Sequence, residues 1–253
     1  MTGLPAVLRD APLLLLSAHF DDAVLSCAAL IAREEPVDLL TVFAGHPTPP
    51  RQGKWDRVTG FADSAESRRV RRAEEQSAFA DTPHRLGFLD LVEAEYLAGS
   101  RTPDDAKPIA AATGRWLEQN LGGVVAVPAG AGRNPGLITT ARRRMGTRVP
   151  LRHPDHLFVR DSALDEVEAA NAQAVLYEEF PYLWGEAAEG EVRRIARSRG
   201  VSAERVVVQV DVRSKAARIA VYASQVPHLT VRGRRVDVAE HLPEEERYWI
   251  LSS

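Results

Sequence analysis

Short apolar runs recur along the chain and predict the strands of a buried sheet. The first is the leucine run at residues 13–16, and the second covers residues 37–43. Neither run alternates with polar residues as a half-exposed strand does, which is typical of parallel strands covered on both faces. Further strands are predicted at residues 84–89, 124–127, 172–177 and 206–210.

Amphipathic and charged segments separate these strands and predict helices. They lie at residues 22–34, 64–80, 109–120, 154–170, 193–199 and 215–223, and residues 243–246 open a short final helix or turn. This alternation predicts an α/β fold with a Rossmann-like, doubly wound, mostly parallel sheet, in one domain spanning residues 1–253. Two long irregular segments, 44–65 and 128–152, leave the carboxyl ends of strands and are predicted to form the walls of a pocket.

A histidine and two carboxylates, His19, Asp21 and Asp22, follow the first predicted strand directly. Ligands of open α/β sheets bind beyond the carboxyl ends of the strands. One of the two aspartates could serve only to cap the following helix. Capping would explain one aspartate, but the other aspartate and His19 would still lie in an apolar setting, where an unpaired charge is costly. A divalent cation would remove this cost, since His19 and Asp22 are spaced to close on one ion while Asp21 points elsewhere.

A second histidine motif, His153-Pro154-Asp155-His156, stands before a predicted helix, with Pro154 suited to its first position. A lone histidine at a helix start is usually a cap or a solvated side chain. Two of them flanking an aspartate, in a chain with 7 histidines, favour a metal site. His19, Asp22 and His156 give the ligand set of a catalytic zinc with an open position, and Fe²⁺ or another divalent transition metal suits the same ligands. Asp21 and His153 are left as base and acid.

These two motifs resemble the signatures of the PIG-L/LmbE-like zinc N-deacetylases, which remove acetyl groups from N-acetylglucosamine-type sugars. Further agreement comes from residues 71–74, 86–90 and 177–182, in the same order and spacing as in the family. Two positions depart from the family pattern, which has Pro where this chain has Phe20 and often Glu where it has Ala23. Neither is a ligand position, so the metal site is expected to be retained and the pocket wall to differ.

In the mechanism that these roles suggest, zinc lowers the pKa of a bound water and Asp21 takes the proton as general base. His153 stabilises the oxyanion, best as an imidazolium, and protonates the departing amine. Asp155 would either favour the charged form of His153 or cap the helix. The resemblance alone implies that Arg71 holds sugar hydroxyls. Asp90 ends a strand and is a candidate acceptor for a sugar hydroxyl, with a role as a cap or loop support equally compatible.

Several other side chains have a less specific interpretation. Glu178, Glu179 and Tyr182 follow a late strand and could line the acceptor side of the pocket. The basic triplet at residues 142–144 is expected to lie in a lid and to be mostly exposed to solvent. The alternative is that one of these arginines contacts a phosphate or carboxylate of the substrate. His46 is predicted to be a solvated loop residue, and Cys27 a small core residue.

Composition narrows the class of protein. The chain has 253 residues, 45% apolar and 26% charged, and its net charge of −3 argues against a nucleic-acid partner. A single cysteine excludes an intrachain disulfide framework and suits a reducing cytosol. The leucine run is too short to span a bilayer and no basic leader precedes it, so we expect a cytoplasmic protein without membrane insertion. A homo-oligomer is compatible with the sequence.

The metal site read from the residues, together with the activity that the family resemblance implies, predicts a zinc-dependent deacetylase of an acetylated amino sugar or glycosylated small molecule. An Arg- and Ala-rich composition adds a hint of bacterial natural-product or thiol biosynthesis. Two alternatives stay open. One is a metal hydrolase of a different N-acyl or O-acyl compound, and the other is a metal-free nucleotide-binding module. The second is disfavoured because no Gly-x-Gly-x-x-Gly follows the first strand.

Overall fold

A seven-stranded sheet forms the centre of the protein. The computed structural model describes residues 3–130, 153–182, 188–231 and 233–252. The strands are β1 (Leu13–Ser17), β2 (Val37–Thr41), β3 (Arg85–Phe88), β4 (Val124–Pro128), β5 (Gln173–Tyr177), β6 (Ser202–Gln209) and β9 (Glu245–Ser252). A separate small hairpin pairs β7 (Thr230–Val231) with β8 (Arg234–Arg235).

The order of the strands is β3-β2-β1-β4-β5-β9-β6. The first five are parallel, and β9 runs antiparallel to both β5 and β6. The chain moves outward from β1 to β2 and β3, and then returns to the other side of β1 with β4. Such a reversal opens a crevice at the carboxyl ends of β1 and β4, where α/β proteins bind ligands. The predicted α/β, mostly parallel sheet is confirmed.

Both faces of the sheet are covered, as the unbroken leucine run predicts. Leu13 and Leu15 pack into the core on one face, and Leu14 and Leu16 into the core on the other. All five residues of β1 are buried. The strand therefore holds the turn that follows it in a fixed place.

Helices flank the sheet on the described part of the chain. They are α1 (Ala6–Arg9), α2 (Asp22–Ser26), α3 (Ala28–Ile31), α4 (Lys54–Thr59), α5 (Ser64–Ala78), α6 (Pro103–Gln119), α7 (Pro154–Ala169), α8 (Glu189–Arg199) and α9 (Val212–Ile219). In the part of the chain that the structure describes, no helix is long and apolar enough to cross a membrane.

The C-terminal prediction was wrong. Residues 243–246 do not open a helix or turn that ends the fold; from Glu245 the chain forms β9 in the interior of the sheet. Tyr248 and Ile250 pack on one face of the sheet, and Trp249 and Leu251 on the other. An aromatic and aliphatic run that is buried on both faces favours a strand, and this outweighs the acidic residues that precede it.

The first predicted helix is divided at Cys27 into α2 and α3. The carboxylate of Glu246, from β9, accepts hydrogen bonds from the backbone N–H groups of Ala28 and Ala29 at 2.8 and 2.9 Å. A distant strand thus caps α3, which residues near the helix could not indicate. Cys27 is a buried free thiol, as predicted.

The segment 44–65 is less irregular than predicted. It contains the short helix α4, and α5 begins at Ser64. The buried carboxylate of Asp56 accepts hydrogen bonds from Gly53 N–H at 2.8 Å and from the Tyr96 hydroxyl at 2.6 Å. Most of the predicted segment 128–152, including the basic triplet at 142–144, lies outside the described residues.

Candidate metal and catalytic site

The turn between β1 and α2 is fixed by hydrogen bonds within the first motif. The Ser17 hydroxyl donates to the carbonyl of His19 at 2.6 Å and accepts from Ala23 N–H at 3.2 Å. The Asp22 carboxylate accepts from His19 N–H at 2.8 Å. Asp21 occupies the N-cap position of α2, but its side chain makes no capping hydrogen bond. Helix capping therefore does not account for these two carboxylates.

Three side chains from the two motifs meet at the carboxyl edge of the sheet. His19 Nδ1 lies 3.1 Å from Asp22 Oδ2, and His156 Nε2 lies 3.3 Å from both of these atoms. A tetrahedral zinc with ligand distances of about 2.0–2.1 Å holds its ligand atoms about 3.3–3.4 Å apart. The triangle therefore has the size that a divalent metal needs, and its members are 7%, 2% and 0% exposed.

The far nitrogen of each imidazole contacts another carboxylate. His19 Nε2 lies 3.3 Å from Asp155 Oδ2, and His156 Nδ1 lies 3.2 Å from Glu179 Oε1. Histidine ligands of metals usually donate their second N–H to a carboxylate in this way, which fixes the tautomer and the ring orientation. The site thus fits a metal centre both in its three candidate ligands and in the carboxylates that contact the two histidine ligands.

The balance of charge also fits a divalent cation. Five carboxylates and three guanidiniums surround the two imidazoles: Asp21, Asp22, Glu93, Asp155 and Glu179, with Arg68, Arg71 and Arg101. With neutral imidazoles, the described cluster carries an excess of two negative charges. Buried charge is costly unless it is compensated, and a divalent cation would compensate it in full.

A second group of potential ligands, His19, His153 and Asp155, is a weaker candidate. The Asp155 carboxylate already accepts hydrogen bonds from the Arg101 guanidinium and from Ala94 N–H. A cation at this point would lie beside the positive charge of Arg101. The triangle of His19, Asp22 and His156 is therefore the better site.

Asp21 and Asp22 are neighbours in the sequence but have opposite electrostatic surroundings. Burial raises the pKa of Asp21, against the effect of Arg71, whose Nη2 lies 3.4 Å from Asp21 Oδ1. Burial acts in the same sense on Asp22, but the facing His156 and His19 outweigh it and hold its pKa well below the usual value. Environments that separate the pKa values of two adjacent carboxyls are typical of sites with one base and one permanent anion.

His153 caps α7 and bears its proton on the nitrogen away from the helix. Its Nδ1 accepts a hydrogen bond from Asp155 N–H at 3.3 Å, so the neutral ring carries its proton on Nε2. Burial and the charges of His156 and His19 lower its pKa to about 3, and Asp155 opposes this only in part. The geometry therefore favours a neutral donor in place of the imidazolium expected from the sequence. The Asp155 carboxylate bonds to His19 and Arg101 and does not cap the helix.

The two predicted substrate-binding residues have different surroundings. Arg71 is 3% exposed, and its Nη1 lies 3.2 Å from Glu93 Oε1 in addition to the contact with Asp21. The Asp90 side chain is 89% exposed and lies 3.6 Å from Arg72. The structure thus brings Arg71 to the proposed base, and gives Asp90 a surface ion pair outside this network.

The positions of three other residues from the predictions add to this picture. The Tyr182 ring lies 5.3 Å from the His156 ring and 6.1 Å from the His153 ring, so it borders the site. Phe20, one of the two departures from the family pattern, is fully buried beneath the Arg71 guanidinium, 5.6 Å from its ring centre. His46 is exposed, as predicted.

Sequence reasoning missed Glu93 and Arg101. Glu93 follows the carboxyl end of β3, a position that could have indicated a site residue, and it joins Arg68 to Arg71. Arg101 precedes α6 without any local motif. Its guanidinium lies 4.1 Å from the Phe43 ring centre and bonds to Asp155. Only the folded chain reveals that contact.

The chain resembles solved structures of deacetylases over most of its length. Against teicoplanin deacetylase Orf2 in a zinc-inhibited form the TM-score is 0.66 and the identity 20%, covering 95% of this chain and 98% of that chain. Against N,N'-diacetylchitobiose deacetylase from Pyrococcus horikoshii the TM-score is 0.52 and the identity 15%, covering 88% and 73%. This chain has the fold of these deacetylases.

The same fold also serves a different reaction. GalB, a 4-carboxy-2-hydroxymuconate hydratase from Pseudomonas putida, matches with a TM-score of 0.52 and 11% identity over 95% of both chains. No family model matches the sequence. No curated protein sequence matches it either. The fold implied by the motif resemblance is confirmed, and the chemistry has to be argued from the site.

The metal-free protein is expected to lose stability as the pH rises from about 6.5 to about 10. Burial disfavours charge on His19, but Glu93 and Asp22 raise its pKa to about 10. The pKa of His156 is raised to about 9, chiefly by Asp22 against burial. Unfolded histidine has a pKa of about 6.5, so this stabilisation is complete below that pH and is lost as the pH rises through the folded values.

Thermal unfolding at several pH values, with and without zinc, checks this prediction. We expect the metal-free protein to lose at least about 1 kcal/mol, or about 2–4 °C in Tm. A bound metal requires unprotonated imidazoles, so the stabilisation by zinc should grow over the same range. Burial raises the pKa of Glu75 to about 8, so this residue also titrates in the same pH range. It does so with and without zinc, and its effect therefore cancels when the two samples are compared. A zinc effect independent of pH would contradict the assignment.

Proposed function

We propose that this protein is a metal-dependent N-deacetylase that hydrolyses the acetamide of an acetylated amino sugar or a glycosylated small molecule. The observation that carries the proposal is the triangle of His19, Asp22 and His156, with Asp21 and His153 beside it. Deacetylase neighbours of the same fold, named for teicoplanin and for diacetylchitobiose, support this class of substrate. Zinc is the proposed metal, because two imidazoles and one carboxylate form a typical catalytic zinc set.

When bound, a divalent metal supplies Lewis-acid polarisation of the acyl carbonyl and of the attacking water. Asp21 accepts the proton of that water at its carboxylate, which Arg71 holds in position. Its raised pKa makes it a stronger base than an ordinary aspartate, which helps proton transfer near neutral pH.

His153 acts on the other side of the acyl group. Its neutral ring directs the Nε2 proton to the oxyanion that forms as water adds to the carbonyl. Collapse of this adduct breaks the C–N bond, and the departing nitrogen takes the proton that Asp21 removed from the water, which frees the amine and restores the carboxylate. The products are acetate and the amino sugar. Asp155 and Arg101 act through His19 and contact no substrate atom in this scheme.

Deacetylation of a panel of N-acetylglucosamine derivatives tests the proposal. The protein is first treated with a chelator and then loaded with increasing zinc, since the Orf2 deacetylase has a zinc-inhibited form. We expect release of acetate and of a primary amine in equal amounts, lost on chelation and restored by about one equivalent of zinc. Activity that survives complete removal of metal would contradict the proposal.

O-acetyl and longer N-acyl compounds in the same panel test the alternative of a different acyl hydrolase. Turnover of these in preference to the N-acetyl sugars would move the assignment to that class. The proposal also includes the single-domain organisation and the cytoplasmic location expected from the sequence.

A further inference from the structure

The carboxylate of Glu179 makes contacts that set it apart from the other acids after β5. Glu179 is 0% exposed, and its Oε1 lies 3.2 Å from His156 Nδ1. The same oxygen accepts a hydrogen bond from Gly130 N–H at 2.8 Å. In the described part of the chain, Oε2 has no hydrogen-bond partner. The contacts of this buried carboxylate with His156 and Gly130 are thus both made by the same oxygen, Oε1.

The geometry points to Glu179 as a positioning residue that fixes His156 for metal binding and connects it to the end of β4. This inference rests on the metal site of the proposed function. Oε1 accepts a hydrogen bond from His156 Nδ1–H, which leaves Nε2 as the nitrogen free for the metal. His156 Nε2 is the atom that faces Asp22 and His19.

The second partner of Glu179 holds the carboxylate itself in place. Gly130 lies two residues after the end of β4 and has a φ of +87°. A Cβ at this position would lie 2.3 Å from Arg160 Nη1 and 2.7 Å from Leu157 Cδ2, so a larger residue would disturb the close approach. Leu157 and Arg160 belong to α7, the helix that begins with the second histidine motif. The end of β4, the end of β5 and the start of α7 are thus joined at His156.

Glu178 offers a matched control one position away. Consecutive residues of extended chain point to opposite sides, and the Glu178 carboxylate accepts a hydrogen bond from Trp249 Nε1 at 2.9 Å. It is nearly buried, like Glu179, and also lies beside Arg247. Replacing either glutamate by glutamine removes one buried negative charge while keeping the size and an acceptor oxygen. Only the change at Glu179 removes the charge beside a metal ligand.

The experiment measures the zinc dissociation constant by chelator competition for the wild type, Glu179→Gln, Glu179→Ala and Glu178→Gln. The side chain of Glu179→Gln can still accept hydrogen bonds from His156 and Gly130, so we expect about tenfold weaker zinc binding from the loss of charge. Glu179→Ala also removes the hydrogen bond that orients the His156 ring, and we expect about 100-fold weaker zinc binding. Glu178→Gln should bind zinc like the wild type. Thermal unfolding of each metal-free variant separates a change in folding from a change in the site.

Two results would overturn the inference. One is that Glu179→Gln and Glu179→Ala bind zinc as tightly as Glu178→Gln. The other is that their loss of affinity is fully explained by unfolding of the metal-free protein. A wild type that binds no zinc would instead refute the proposed function, and this inference with it. The wild-type measurement therefore distinguishes the two failures.

Discussion

Asp21→Asn is expected to lower the turnover number about 10²- to 10⁴-fold while zinc remains bound, because a general base contributes about that factor. Asn has the same shape as Asp and offers an oxygen to Arg71, so the contact at 3.4 Å can be kept. It cannot take a proton from water. Asp21 does not belong to the triangle of candidate ligands, so metal affinity should change little.

The pH profile gives this prediction a second readout. The wild type should lose activity as the pH falls through the raised pKa of Asp21, because the base must be ionised. The residual activity of Asp21→Asn should lack this acidic limb. Asp165→Asn is a suitable control, since its exposed carboxylate pairs with Arg199 on the surface. Turnover of Asp21→Asn within about tenfold of the wild type, below the usual contribution of a base, would contradict the role.

The parts of the fold that the sequence predicts well are those whose signal is local. The leucine run of β1 predicts a buried strand, and the histidine motifs predict metal ligands, each from a few consecutive residues. β9 could not be predicted in this way. Its acidic start and aromatic run form a strand because they pair with β5 on one side and β6 on the other. The division at Cys27 likewise depends on Glu246, which is remote in sequence.

The candidate site shows the same limit. His19, Asp22 and His156 could be grouped because their residue types and spacings suit one metal. The contacts that orient them come from Glu179 after β5 and from Asp155 in the second motif, which is itself paired with Arg101 before α6. Asp155 was expected either to favour the charged form of His153 or to cap the helix. It does raise the pKa of His153, but its carboxylate bonds to His19 and Arg101, which the sequence did not indicate. The direction of a side chain at a helix start is set by tertiary packing, which spacing alone does not reveal.

The topology explains why residues so far apart in sequence converge. His19 follows β1, Gly130 follows β4 and Glu179 follows β5, and these three strands are adjacent and parallel in the sheet. Their carboxyl ends therefore open at one edge. Glu93 reaches the same edge after β3 and holds Arg71 beside Asp21. The ends of four strands thus supply part of the site, and the start of α7 supplies His156 and Asp155.

Asp22→Asn is expected to abolish both zinc binding and deacetylation, in contrast to the same change one residue earlier. Asp22 Oδ2 contacts His19 Nδ1 and His156 Nε2 and also accepts from His19 N–H. An amide oxygen can keep the backbone hydrogen bond, so the turn should survive. It is a neutral and weaker ligand, and the cluster would lose one of the charges that attract the cation. We expect an affinity loss of more than about 100-fold, beyond that of an outer contact.

Metal content after dialysis against a weak chelator distinguishes the two neighbouring variants. Asp21→Asn should retain about one zinc per chain with little turnover, and Asp22→Asn should retain almost none. Excess zinc should restore activity to neither: the first lacks the base, and the second lacks a ligand that holds the metal against both imidazoles. Stoichiometric zinc in Asp22→Asn would exclude this aspartate as a ligand. Loss of zinc from both variants would mean that the two carboxylates act as one unit, and the division into base and ligand would be wrong.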